Sequence, residues 1–302
     1  MRVNTLSPGD TIGIIAPSRP IYNIKKEVEA GISTLQQMGF KVKRGQHLEN
    51  HFFYSAGTPT ERISDLHKMF ADPEVNAIIC ATGGSSANQL IELVDFKLIK
   101  NNPKIFIGYS DITILLLAIN AKTGLPTYYG PTAYEMSKLT QRSKDFLFQL
   151  LGKDPGLLEY PREWKTIRKG KATGKLVGGI LSRIESFTGT AYLPKMNGAI
   201  LFWEDVNSSP AAMDFNLQAL RLSGVFEKIS GMIIGHLSEC IDKKYPNDNR
   251  PIEDIILERT SGFNFPIMKV EYFGHDIDNF YTLPIGAIAS MNGKTGSVNI
   301  VM

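Results

Sequence analysis

A chain of 302 residues that is 43% hydrophobic and 21% charged, with both signs interspersed, can bury the cores of one large or two ordinary domains, which excludes a disordered chain. Its formal net charge of +3 comes without a basic block, so neither nucleic acid nor an anionic membrane is the expected partner. Cys80 and Cys240 make neither a disulfide framework nor a metal knuckle, "MRVNTLSPGDTIGIIAP" lacks a signal-peptide core, and no run approaches a membrane span; a cytoplasmic protein is predicted.

In chain order, "TIGIIAP" predicts a first strand and "IYNIKKEVEAGISTLQQMGF" a helix ending near Gly39. "NAIICAT" predicts a buried strand running into "GGSSA" and the helical "NQLIELV"; "IFIGYS" predicts a third strand, followed by the helix "DITILLLAINAKTG". Such βα units build a parallel sheet whose post-strand loops share the carboxyl edge, which places Gly83, Gly84 and Ser110 in one neighbourhood. Residues 151–170 are rich in Pro, Gly and charge without sustained periodicity, as a linker is. Beyond them, "GAILFWED", "ISGMIIGHL" and "PIMKVEYFGH" predict strands, "AAMDFNLQALRLSGVF" and "IEDIILERTS" helices, and "IASMNGKTGSVNIVM" a closing hairpin around Asn292-Gly293. The expected fold class is therefore α/β. An N-terminal open, largely parallel sheet domain spans 1–150, and a smaller C-terminal α/β domain spans 171–302.

Gly108-Tyr109-Ser110-Asp111 puts a serine at a sharp corner between a buried strand and a helix. It reads either as an N-cap or as a nucleophile elbow, in which the N–H of Asp111 helps form an oxyanion hole. A hydroxyl needs a base, and the base a carboxylate to orient it. His47, His51 and His67 lie in polar stretches and read as solvated, whereas His236 and His275 each follow a predicted strand. Glu204 and Asp205 end a strongly apolar strand; one of them reads as the cap of the next helix unless it faces a site. A phosphate-cradling loop at "ICATGGSSANQL", which would make the chain a nucleotide- or sugar-binding protein, lacks both G-x-G-x-x-G and the Walker pattern.

"IAPS", "ATGGSSANQLIELVDF", "IGYSDITILLLAINAKTGLPTYYGP", "GKLVGGIL", "ILFWED", "MDFNLQALRLSGVF", "ISGMIIG" and "FGHDIDNFYTLPIG" together resemble the serine LD-carboxypeptidases, a family that includes the microcin C self-immunity hydrolases. The resemblance spans nearly the whole chain in order. It implies a Ser110, Glu204, His275 triad with backbone donors from Asp111 and Gly84, an acyl-enzyme mechanism, and no metal or other cofactor. A homodimer is a further family expectation.

The implied substrate is a small peptide: murein tetrapeptide losing its terminal D-alanine or, in the immunity branch, an amide joining a peptide to a nucleotide-like group. Ser85, Gly179 and Ser208 fall at the expected substrate-binding positions. Ser208 stands where the immunity branch has lysine, Ile180 where the family has asparagine, and 151–170 is shorter than the immunity branch's aromatic loop. Trp164 either stacks in place of that loop's aromatic residue or packs against its own domain.

Overall fold

The computed structural model describes residues 5–153, 157–161 and 164–301 and divides into two units: Met1–Pro155 with Asp278–Gly286, and Gly156–Ile277 with Ala287–Met302. In the first, six strands run in the order Leu283–Ile285, Thr127–Tyr129, Ile105–Gly108, Val75–Cys80, Thr11–Ile15, Lys41–Arg44. All pairings are parallel except that of Leu283–Ile285 with Thr127–Tyr129. The central strands are apolar because helices cover both faces of such a sheet; Ile12, Ile14, Ile78, Ile79, Phe106 and Ile107 are fully buried.

Helix Lys25–Gln37 matches the expected first helix, and Thr113–Thr123 is the buried helix after the serine corner, ending at Gly124 with φ 74°. "NQLIELV" forms a 3₁₀ turn over Ala87–Leu93 instead of an α-helix. An amphipathic helix over Pro59–Ala71, not among the sequence expectations, starts with a capping box: the Thr58 hydroxyl accepts from the Glu61 N–H, and the Glu61 carboxylate accepts from the Thr58 N–H.

The second unit is built on eight strands in the order Leu157–Glu159, Ser297–Val301, Ile288–Asn292, Lys171–Ile180, Ile200–Val206, Gly231–Ser238, Ile267–Lys269, Lys165–Arg168. The four strands Lys171–Ile180, Ile200–Val206, Gly231–Ser238 and Ile267–Lys269 run parallel and the remaining pairings are antiparallel, with helix Pro210–Leu222 after the strand carrying Glu204. Both units are thus α/β, as expected, and the hairpin forms, with Asn292 opposite Ser297.

Two expectations need correction. Residues 151–170 are not plain linker: Leu157–Glu159 and Lys165–Arg168 are edge strands, which need little apolar patterning of their own, while 154–156, 162 and 163 lie outside the described residues. The strand in "PIMKVEYFGH" stops at Lys269, and further on Gly274 (φ 135°) and Asp276 (φ 58°) turn the chain. Residues 1–4 and 302, part of the leader and hairpin readings, also lie outside the described residues. Among the described residues no helix is long and apolar enough to cross a membrane.

Candidate active site

In the first unit, strand Ile105–Gly108 passes through extended Tyr109 to Ser110, which has φ 60°. That left-handed backbone costs a non-glycine residue about 1–2 kcal/mol, whereas an N-cap has ordinary β-region angles. Neither the short turn Ser110–Ile112 nor the helix after it has a side-chain cap, so Ser110 is not a cap, and its left-handed backbone is of the kind that an elbow requires. Its N–H points to the Tyr129 hydroxyl at 3.4 Å, and Tyr109 donates to Glu135 at 2.8 Å.

Gly83 makes room for the elbow. A β-carbon there would lie 2.8 Å from the Ser110 β-carbon and 2.9 Å from its hydroxyl oxygen. Gly84, the expected oxyanion donor, has φ 150° and packs on the next loop: a β-carbon would meet the Ser18 hydroxyl at 2.3 Å and the Arg19 nitrogen at 2.6 Å. Ser85 follows it and is exposed.

Asp111, for which only a backbone role was expected, also engages its side chain. Its buried carboxylate accepts from the Ser18 hydroxyl at 2.7 Å and from the Ala87 N–H at 2.8 Å, while the Ser18 hydroxyl accepts from the Ser86 N–H at 3.2 Å. Buried Arg62 donates to the Pro17 and Ser86 carbonyls at 2.8 and 3.0 Å. Burial lowers the Arg62 pKa, opposed by the Asp111 charge. Three post-strand loops are thereby tied together behind Ser110. Sequence reasoning missed Arg62 and the Asp111 side chain; the acid immediately after the serine was the available signal.

In the second unit, Glu204 is 0% exposed near the end of Ile200–Val206, and its Oε2 lies 2.9 Å from Nδ1 of His275. A buried carboxylate on Nδ1 favours the tautomer that leaves Nε2 as the basic nitrogen. Gly274 permits the approach, since a β-carbon there would lie 2.9 Å from the His236 carbonyl oxygen. Beyond His275, the Ser238 hydroxyl donates to Asp276, and the His236 N–H donates to the Phe273 carbonyl at 2.8 Å.

Neither acid caps the following helix: Ser209 does, accepting from the Ala212 N–H at 3.2 Å. Asp205 is 1% exposed; its Oδ1 accepts from the Val206 N–H at 2.9 Å and its Oδ2 has no hydrogen-bond partner. Burial pushes this carboxyl up to about 6. Ile180 pairs in register with Glu204 and Gly179 with Trp203, and Ser208 is half-buried.

His236 pairs with exposed Glu271 at 2.5 Å and not with Glu204. His47 is not simply solvated: it sits half-buried, 2.9 Å from Asp65, and His67 accepts from the Asp95 N–H at 2.9 Å, because the helix carrying Asp65 and His67 packs into the unit. His51 is exposed, as expected. Trp164 donates to the Pro161 carbonyl and meets Tyr160 edge-on, packing within its own unit.

The family model described as the LD-carboxypeptidase N-terminal domain matches residues 12–130, and that of the LD-carboxypeptidase C-terminal domain matches 173–291. A probable murein peptide carboxypeptidase of Bacillus subtilis (strain 168) is 35% identical over 296 residues, covering 95% of this chain and 90% of that protein. The microcin C7 self-immunity protein MccF of Escherichia coli is 31% identical over 334 residues, covering 98% and 94%. A solved structure of MccF in complex with aspartyl sulfamoyl adenosine superposes with a TM-score of 0.90 at 28% identity, covering 100% of this chain and 98% of that one.

Proposed function

We propose, for a chain that belongs to the LD-carboxypeptidase family, that it is a serine peptidase removing the terminal D-alanine from cytoplasmic murein tetrapeptide. The observation that carries this reading is the pairing of fully buried Glu204 with Nδ1 of His275 at 2.9 Å, an arrangement suited to a general base. The strained corner at Ser110 supports it from the nucleophile's side.

In this reading His275 takes the Ser110 proton as the hydroxyl attacks the amide carbonyl and returns it to the leaving amine, while Glu204 stabilises the imidazolium. Water then cleaves the acyl-enzyme with the roles reversed. The N–H groups of Asp111 and Gly84 are the proposed oxyanion donors, and Ser85, Gly179 and Ser208 the proposed substrate contacts.

A second reading, cleavage of a peptidyl- or aminoacyl-nucleotide, is supported by the likeness to MccF with its sulfamoyl adenosine. Against it, Ser208 and Ile180 replace the residues expected there, and part of 151–170 is held in edge strands. Mass-spectrometric turnover of murein tetrapeptide beside a peptidyl-adenylate analogue separates the two. D-alanine release alone is expected; cleavage of the nucleotide conjugate alone would establish the second reading. Fluorophosphonate labelling of Ser110 is expected as well, and a mere binding protein would not react.

A further inference from the structure

Arg19 stands at the crevice of the first unit where an open parallel sheet takes its ligands. From strand Thr11–Ile15 the chain crosses to Lys41–Arg44 on one side and then passes back to Val75–Cys80 on the other, after which the strands continue outward. The winding therefore reverses between Thr11–Ile15 and Val75–Cys80, and ligands bind outside the carboxyl ends of the strands at such a reversal. Arg19 lies on the loop after the first of these two strands, and Thr82, Gly83 and Gly84 on the loop after the second.

The residue is held at both ends. Its N–H donates to the Gly83 carbonyl at 3.2 Å, and Nε of its guanidinium donates to the hydroxyl of buried Thr82 at 3.3 Å. The guanidinium carbon lies 5.9 Å from the centre of the Tyr134 ring, and the Tyr134 N–H is itself tied to the Ala81 carbonyl at 3.0 Å. Yet Arg19 is exposed, and among the described residues it meets no carboxylate. Lys138, whose ammonium lies 3.9 Å from the centre of the same ring, meets none either. The neighbouring acid, Glu135, is already engaged, accepting from the Tyr109 hydroxyl at 2.8 Å and the Thr132 N–H at 3.0 Å. An arginine fixed through Nε with its two terminal nitrogens open is a preorganised fork for a carboxylate, and a second uncompensated cation beside it strengthens the draw on an anion.

Its place beside Ser110 selects which carboxylate. A β-carbon on Gly83 would lie 2.8 Å from that of Ser110, and one on Gly84 would lie 2.9 Å from that of Arg19. The serine and the arginine therefore flank one pair of glycines whose α-carbons are about 3.8 Å apart, the step of a single residue along a peptide. We propose that Arg19 is a specificity-determining residue whose guanidinium receives the free α-carboxylate of the residue directly after the scissile amide. An internal amide, which has no such carboxylate one residue on, leaves the guanidinium unpaired. The proposal rests on the peptidase reading for the amide that is cut.

The test is the ratio of kcat/KM for murein tetrapeptide to that for the same peptide ending in D-alaninamide, measured with the unmodified chain and with Arg19→Gln. Two charge-assisted hydrogen bonds to a carboxylate set the expected ratio at about 100 for the unmodified chain, falling to about 1 in Arg19→Gln. Equal turnover of acid and amide by the unmodified chain overturns the carboxylate site and keeps the peptidase reading. So does a ratio that survives Arg19→Gln, or an Arg19→Gln loss shared equally by both peptides. A loss confined to a peptidyl-adenylate analogue overturns the site as well, since the group it reads would then be a phosphate. Calorimetric binding of the same two peptides to Ser110→Ala protein, with and without Arg19→Gln, separates the two readings where the unmodified chain turns over neither. An acid preference in binding that Arg19→Gln removes then leaves the site standing and overturns the peptidase reading, and any other binding pattern overturns both.

Discussion

A methyl group at position 83 would press on both the β-carbon and the hydroxyl of Ser110, at 2.8 and 2.9 Å, so Gly83→Ala has to displace the proposed nucleophile. A displacement of that order should lower kcat by about 100-fold with little change in melting temperature; unchanged kcat would dissociate Gly83 from the chemistry. Glu204→Gln keeps the shape of the His275 contact but disturbs its tautomer, and a loss of roughly 10³–10⁴-fold in kcat is expected. Were Asp205→Asn the more damaging change, the acid would be misassigned. Asp205 makes a separate prediction through stability. Its carboxyl is raised to about 6 in the folded protein, above the ordinary value of about 4, so the folded state keeps a proton that the unfolded chain has lost. Stability from this group is therefore full below about pH 4 and declines as pH rises through about 6. Asp205→Asn should raise the melting temperature by about 2–4 °C near neutrality and leave it unchanged at pH 4; the reverse order would contradict the burial argument. The serine corner was legible because a hydroxyl between two apolar runs is conspicuous, and Glu204 and His275 came from the family resemblance. The buried carboxylate of Asp111 was not legible, since its partners Ser18 and Ala87 are distant in sequence and only the sheet brings them together.

Among the elements, helix Pro210–Leu222 shows how a cap separates structure from chemistry. Ser209 satisfies its first turn, which relieves Glu204 and Asp205 of that task. Ser209→Ala should cost about 1 kcal/mol of unfolding free energy and leave kcat unchanged, as read from denaturant titration beside turnover. The central strands and the helices Lys25–Gln37, Thr113–Thr123 and Pro210–Leu222 were legible from apolar runs and helical length, whereas Pro59–Ala71, equally long, was not. Lys165–Arg168 was not, because an edge strand of four residues with a single apolar side chain, Ile167, carries no periodicity that distinguishes it from a loop.

At the scale of the molecule, the chain leaves the first unit, builds most of the second, and then returns Asp278–Gly286 to complete the first unit's sheet, with Leu283–Ile285 beside Thr127–Tyr129. That return was invisible in the sequence, where "TLPIG" is too short to show which sheet it joins. A fragment ending at residue 155 therefore lacks the strand that covers Tyr129 and the aromatic pair Phe280 and Tyr281. It should fail to give a cooperative melt, whereas a cooperative melt like that of the whole chain would show the return to be dispensable. The most direct measurement remains turnover of murein tetrapeptide by the purified chain and by Ser110→Ala, followed by mass spectrometry. Release of D-alanine by the first and not by the second is expected of a serine peptidase acting through Ser110; equal release by both would contradict it.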